Sequence, residues 1–231
     1  MIETIRIVGA RGRVGSAVNA RLSERGLDLD SPTPQLVLLC VPDRAIAEVA
    51  AETGLGPWIA HVSGATPLDA LEPHVRRFSV HPLQSFSKAR GPEQLDGAWG
   101  AVTAETDDAR AVGWWLAETL GLRPFPLADG ERAAYHAGAA MASNYLVTLR
   151  AAAGSLLDAA GAPPEALDPL IRGVMDTGFE LTGPIARGDW ETVKRHLAVI
   201  RAERPELEEL YLVLAAATAR IAGRDPAEVP A

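Results

Sequence analysis

The sequence predicts an α/β protein: a doubly wound parallel sheet, shortened after its first strand-helix unit, followed by an all-helical domain. Three observations carry this. Apolar runs alternate with helical periodicities over residues 1–128. One run, Gln35 to Val41 (QLVLLCV), is unbroken and bounded by prolines, as in a strand covered on both faces. Beyond Asp129 only helical patterns remain.

Ile2 to Val8 is a short apolar run, the first strand. Gly12 to Glu24 has helical spacing through Val14, Val18 and Leu22, and Gly26 stands where such a helix ends. Gln35 to Val41 is the next strand, Asp43 to Glu52 a short helix, and Trp58 to Val62 a third strand. Phe78 to Val80, Ala98 to Thr103 and Pro124 to Leu127 are weaker strands. Asp107 to Leu120 is a helix with acids in its first turn, where the helix dipole favours them, and its Trp114-Trp115 pair is expected to pack on the sheet. Asp129 is a helix N-cap and places the boundary between a domain of residues 1–128 and one of residues 129–231. Helical residues then run to about Ala160, roughly 45 Å of helix at about 1.5 Å per residue. Gly161-Ala162-Pro163-Pro164 breaks that run. A second helix, the Thr182-to-Asp189 loop, a third helix capped by Asp189 and a fourth with Pro205 at N1 and Gly223 at its end complete the chain.

A net charge of −8 argues against nucleic-acid binding, which needs clustered Lys and Arg. The single cysteine, Cys40, excludes an internal disulfide and reads as a buried inert thiol. No metal cluster with usable ligand spacing appears, nor a G-x-S-x-G nucleophile. The chain shows no signal peptide and no run approaching the roughly 20 apolar residues that span a bilayer, so a cytoplasmic location is the expectation.

Gly9-Ala10-Arg11-Gly12-Arg13-Val14-Gly15 joins the first strand to the first helix. A dinucleotide's pyrophosphate sits on such a helix N-terminus, and glycines let the backbone turn and approach it. Gly9, Gly12, Arg13, Val14 and Gly15 are therefore candidate cofactor contacts in a Rossmann-type domain. The spacing is G-x-x-G-x-x-G rather than the stricter G-x-G-x-x-G, and a plain strand-to-helix turn is the alternative. Arg13 serves a pyrophosphate or a 2′-phosphate, or is a solvated surface arginine. The usual unit continues with a second strand ending in an acid that holds the ribose. Here only Leu27 to Ser31 precedes the QLVLLCV strand, leaving Asp28 or Asp30 for that role and no room for the following helix.

The glycine loop, Val41-Pro42-Asp43, His81-Pro82-Leu83-Gln84-Ser85-Phe86, Tyr135-His136, Ser143-Asn144-Tyr145 and Gly183-Pro184-Ile185-Ala186-Arg187-Gly188-Asp189 occur in order. With them the chain resembles the Rossmann-like proteins that carry a DUF2520 C-terminal domain, relatives of the 6-phosphogluconate dehydrogenase-like and F420-dependent NADP oxidoreductase groups. The resemblance implies an NAD(P)-binding sheet domain, helical domains that pair in a dimer, and a cleft between the domains. It implies no settled reaction. The missing second unit departs from the family and weakens the adenosine half of the site, so binding of NADP or NAD is expected to be weak or lost. The nicotinamide half would lie near Pro42, Ser63-Gly64 and His81.

In this fold ligands bind beyond the carboxyl ends of the strands, which here carry Pro42, His61, Ser63 and His81. On the long helix, His136, Ala140 and Ser143 share a face with Asn144 nearby, and the small residues around them allow close approach. A tight helix pair bridged by His136 and Asn144 is the alternative. Arg187 suits an anionic substrate, or pairs locally with Asp189. His74 and His196 read as surface residues. The leading expectation is an NAD(P)-dependent oxidoreductase-like homodimer acting on a small carboxylate-bearing carbonyl or imine compound. His136 or His81 would relay the proton, and Ser143, Asn144 and Arg187 would bind and orient the substrate. The rival is a non-catalytic ligand-binding dimer that has lost tight dinucleotide binding.

Overall fold

The computed structural model describes residues 2–230. Two compact units divide the chain, Met1–Ser143 and Asn144–Ala231. The division falls after Ser143 rather than near Asp129, because the helix that follows Asp129 is bonded into the first unit.

The first unit is a six-stranded sheet in the order β1-β2-β3-β4-β5-β6: β1 Ile5–Val8, β2 Leu36–Leu39, β3 Trp58–His61, β4 Arg77–Leu83, β5 Trp99–Ala104 and β6 Arg123–Pro126. β1 to β4 are parallel; β5 runs antiparallel to β4 and parallel to β6. Leu36 to Leu39 are all buried, and alternate residues feed opposite faces. Leu36 and Leu38 pack with α1 (Arg13–Glu24) and α3 (Asp107–Thr119), while Val37 and Leu39 pack with α2 (Ile46–Glu52). This is the double covering that the unbroken apolar run predicts. Trp114 and Trp115 pack against the α1/α3 side.

The shortened segment has a topological consequence. α1 and α2 lie on opposite faces, so two direct crossovers progressing the same way across the sheet would have opposite hands. The chain avoids this with one residue. After α1 it passes to the outer edge of β1, where Asp28 bridges to Thr4 in parallel, and only then returns to β2 on the inner side. Asp28 is the remnant of the second strand, and it lets both crossovers keep one hand.

α4 (Arg132–Ala140), a π-helical turn (Met141–Tyr145) and α5 (Leu146–Ala159) follow one another in sequence, so the expected long helix carries a wider turn in its middle. Asp129 does not cap that helix through its side chain. Its carboxylate accepts the Leu68 N–H at 3.2 Å instead. The second unit contains α5, α6 (Leu167–Asp176), α7 (Pro184–Arg187), α8 (Trp190–Glu203) and α9 (Glu208–Ile221). Arg150 on α5 pairs with Asp168 on α6 at 2.7 Å, and Val193, Leu197, Ile200, Ala215 and Ala219 are buried between α8 and α9 and their neighbours. Asp189 caps α8 by accepting the Thr192 N–H at 3.1 Å. The unit leaves Tyr145, Val147, Leu170, Met175 and Phe179 more than half exposed. No helix among the described residues is long and apolar enough to cross a membrane.

Candidate functional site

Gly9 and Gly15 of the first loop are required by their surroundings. Gly9 has φ +89°, and a Cβ there would lie 2.4 Å from the Cys40 carbonyl oxygen, so the loop after β1 abuts the end of β2. A Cβ on Gly15 would lie 2.2 Å from the Gly9 oxygen, so α1 starts hard against the turn. Gly12 donates its N–H to Gly9 O at 2.9 Å and opens α1 without a side-chain cap. The first N–H groups of α1, those of Arg13, Val14 and Gly15, consequently have no intrahelical partner and point out of the helix end. The Arg11 and Arg13 side chains are exposed and make no ion pair among the described residues.

The strand register aligns the rest. Val8, Leu39, His61 and Ser79 form one row across β1 to β4. Beyond that row β1, β2 and β3 end while β4 continues through His81, so the glycine loop after β1 and His81 both lie at the carboxyl edge of the sheet. At about 4.8 Å per strand, the glycine loop and His81 are roughly 14 Å apart across it.

His81 is held from two sides. Its ring lies over Gly64, where a Cβ would come within 2.8 Å of it, and its Nδ1 hydrogen-bonds the Tyr135 hydroxyl at 2.6 Å with the rings edge to face. Tyr135 is placed by Arg132, one turn earlier on α4. That residue is 2% exposed, and each of its three guanidinium nitrogens is engaged: one pairs with Asp129 at 2.6 Å, one donates to Ser63 O at 3.2 Å, and one donates to Ser79 Oγ. Arg132 thereby latches α4 onto the segment that follows β3 and onto β4. Burial, with His136 and Arg132 nearby, pushes the His81 pKa down to about 4, against a smaller opposing pull from Asp43. Burial pushes Tyr135 up to about 12. Near neutral pH the pair is therefore an uncharged imidazole hydrogen-bonded to an un-ionised phenol.

Of the residues the sequence singles out, Gly9, Gly12, Arg13, Val14 and Gly15 form the loop and helix start just described. Pro42 is exposed at the end of β2. Ser63 is at the predicted strand end, but its hydroxyl accepts the Ala65 and Thr66 N–H groups and bonds the Thr66 hydroxyl, so it serves the local turn. His61 is fully buried, its Nδ1 accepts the Ser63 N–H at 3.2 Å, and burial, then the Arg132 charge, lowers its pKa to about 3. Cys40 is buried, and its thiol pKa is raised to about 12 by desolvation. His136 is exposed on α4, one residue round from Tyr135. Ser143 is exposed and donates its hydroxyl to Ala139 O; Asn144 and Arg187 are exposed in the second unit. Arg187 makes no ion pair with Asp189, whose carboxylate goes to the α8 cap.

Two sequence expectations are corrected. His74 is not a surface residue: it is 3% exposed and its Nε2 bonds Ala50 O at 2.9 Å, tying the turn before β4 to α2. Asp28 does not stand where a ribose-binding acid must. It lies beside Thr4 at the amino end of β1, and its carboxylate accepts the Asp30 N–H. Tyr135 and Arg132 were not among the expected site residues. Their i, i+3 spacing on an Ala-rich helix was the available signal.

A hollow of about 650 Å³ lies at the opposite, amino end of the strands, beside Gln35, Trp58, Arg76 and Trp115. Two of its polar side chains are engaged locally. Gln35 Oε1 accepts the Glu3 and Thr4 N–H groups, and Arg76 donates to Gly56 O while stacking on Trp58. The carboxyl edge, with its free helix N-terminus and histidine, is the better candidate.

This frame and edge define a Rossmann-type α/β protein with a helical C-terminal part. Residues 98–218, 121 of the 231, match the model of the family described as domain of unknown function DUF2520, and the chain belongs to that family. No curated protein matches it. Among solved structures it resembles BF3122 of Bacteroides fragilis, provisionally described as an NADP oxidoreductase (22% identity, 95% of this chain and 98% of that one, TM-score 0.78). It also resembles protein TM1727 of Thermotoga maritima (24%, 95% and 98%, TM-score 0.77). A third likeness is 1-pyrroline-5-carboxylate reductase of Streptococcus pyogenes (16%, 95% and 97%, TM-score 0.60). At these identities the likenesses show a shared fold.

Proposed function

We propose that the chain is an NAD(P)-dependent oxidoreductase-like protein acting on a small carboxylate-bearing carbonyl or imine compound. The observation that carries this reading is that the glycine loop and the His81–Tyr135 pair both lie along the carboxyl edge of the sheet. A phosphoriboside anchored on the loop and a small substrate at His81 together fill the span between them. The names of the structural relatives support the cofactor and substrate classes: one is an NADP oxidoreductase by description, another reduces a carboxylate-bearing imine by name.

In this reading the backbone N–H groups of Arg13, Val14 and Gly15 take the cofactor phosphate, and Pro42 borders the nicotinamide side. The cofactor supplies or accepts hydride. Tyr135 donates to His81 Nδ1, which leaves the ring proton on Nε2 and makes that atom the one that exchanges a proton with substrate. His136, exposed on the adjacent face of α4, is the second proton carrier. Ser143, Asn144 and Arg187 are the substrate-orienting candidates. The Tyr145, Val147, Leu170, Met175 and Phe179 surface of the helical unit is covered by a second copy in a homodimer.

Calorimetric titration with NADPH, NADH and their oxidised forms tests the reading. It predicts binding with a dissociation constant on the order of 0.1–1 mM, roughly 4–5.5 kcal/mol. His81→Gln should leave this binding in place and remove turnover. A second reading, a non-catalytic ligand-binding dimer, is favoured by one observation, the near-absence of the second strand. Weak cofactor binding with no hydride exchange towards any carbonyl or imine acid would favour it.

A further inference from the structure

The two halves of a nicotinamide dinucleotide make different demands on a Rossmann-type domain. The pyrophosphate and nicotinamide side needs the glycine turn, the helix N-terminus and the ends of the inner strands, and all are present. The adenosine side needs a second strand beside β1 that reaches the level of the glycine loop, ends in an acid and continues into a wall for the base. Here the residues do not fit.

The outer edge of β1 carries one bridge among the described residues, Thr4 to Asp28. Ile5 donates to Asp28 O and Asp28 donates to Glu3 O, and the pairing stops. Gly9 lies five residues further along β1, about 16 Å away at ~3.3 Å per residue. The Asp28 carboxylate accepts the Asp30 N–H at 3.0 Å, which turns the chain off the edge. The segment then returns at the same low level, since the Gln35 N–H donates to Thr4 O at 3.0 Å and Gln35 Oε1 accepts the Glu3 N–H at 2.7 Å. Both ends of the Asp28-to-Gln35 excursion are thus fastened to the amino end of β1. Asp28, the remnant that satisfies crossover handedness, cannot reach a ribose at the other end. Arg6 on the strand and Arg11 and Arg13 on the loop are exposed.

We propose that the site holds a nicotinamide cofactor by its nicotinamide mononucleotide half alone, the adenosine half standing in solvent. The inference rests on the nicotinamide-cofactor reading above. Its consequence is that a nicotinamide phosphoriboside binds nearly as well as a whole dinucleotide, and an adenine nucleotide does not compete.

The test is calorimetry of the full chain with reduced nicotinamide mononucleotide, NADH, NADPH and ADP-ribose. The expected result is dissociation constants for the three nicotinamide compounds within about tenfold of one another, and no displacement of NADH by an equal concentration of ADP-ribose. A dinucleotide that binds more than about tenfold tighter than the mononucleotide, or displacement by ADP-ribose, overturns the half-site while leaving the cofactor reading standing. Failure of all three nicotinamide compounds to bind overturns both. Gly15→Ala adds a control on place. If circular dichroism shows the variant folded and it still binds the mononucleotide unchanged, the phosphate is not on the glycine loop and the proposal falls.

Discussion

Replacing Arg132 with alanine removes the latch between α4 and the sheet, and the structure gives the size of the effect. The residue is 2% exposed and its guanidinium serves three acceptors: Asp129, Ser63 O and Ser79 Oγ. Asp129 is 38% exposed on its side chain and can rehydrate, so its loss adds little. Ser63 O and Ser79 Oγ are buried, and each left without a donor costs about 1–3 kcal/mol. The two orphaned acceptors together set the expected loss at about 2–6 kcal/mol, the void left by the side chain pushing it towards the upper end. Arg132→Lys should lose less, keeping a charge but not the fork that reaches several acceptors at once. Urea unfolding followed by circular dichroism reads both values, and hydrogen exchange of the Ser63-to-Thr66 amides should quicken in the alanine variant. A loss below about 1 kcal/mol, or unchanged exchange, would refute the assignment of Arg132 as the group that fixes Tyr135 against His81.

Gly15→Ala places a Cβ 2.2 Å from the Gly9 oxygen, so it should cost about 1–3 kcal/mol by urea unfolding and weaken cofactor binding in the same calorimetric titration. His81 and His61 take up protons near 4 and 3 in the folded chain but at the ordinary 6.5 when unfolded. The unfolded state therefore holds more protons between those values, and stability is full above about 6.5 and falls as the pH drops towards 4 and 3. The slope is at most about 1.4 kcal/mol per pH unit for each histidine, and His81→Gln should remove one share of it above pH 4 in unfolding midpoints measured across that window. Sedimentation at micromolar protein should show a dimer, and Val147→Glu with Phe179→Glu should shift it to monomer, both side chains being at least 70% exposed in the single chain.

What was legible in the sequence is what local physics decides. The glycine loop was readable because each glycine answers to a neighbour a few residues away or at the next strand end. Leu36 to Leu39 were readable because burial on both faces leaves no polar residue in the run. The site residues on α4 are a different matter. Arg132 is buried and Tyr135 half-buried, while His136, the next residue and about 100° round, is exposed, and helical period alone cannot choose between two such faces. Ser63 carried the right residue type at the right strand end, but the turn to Thr66 consumes its hydroxyl. His74 gave no local sign of burial because its partner, Ala50 O, comes from a helix two dozen residues earlier. The shortened segment was visible as a length, yet its purpose, a single bridging residue that preserves crossover handedness, follows only from the faces that α1 and α2 occupy.

The central claim is that the glycine loop and the His81–Tyr135 pair border one cofactor site at the carboxyl edge of the sheet. Chemical-shift mapping of the isotope-labelled full chain with NADPH tests it most directly. The account predicts that the amides of Gly12, Val14 and Gly15 and the ring of His81 shift together along one titration curve, while Trp58 and Trp115 do not move. Shifts confined to Trp58, Arg76 and Trp115, or a glycine loop that stays still while His81 responds, would contradict it.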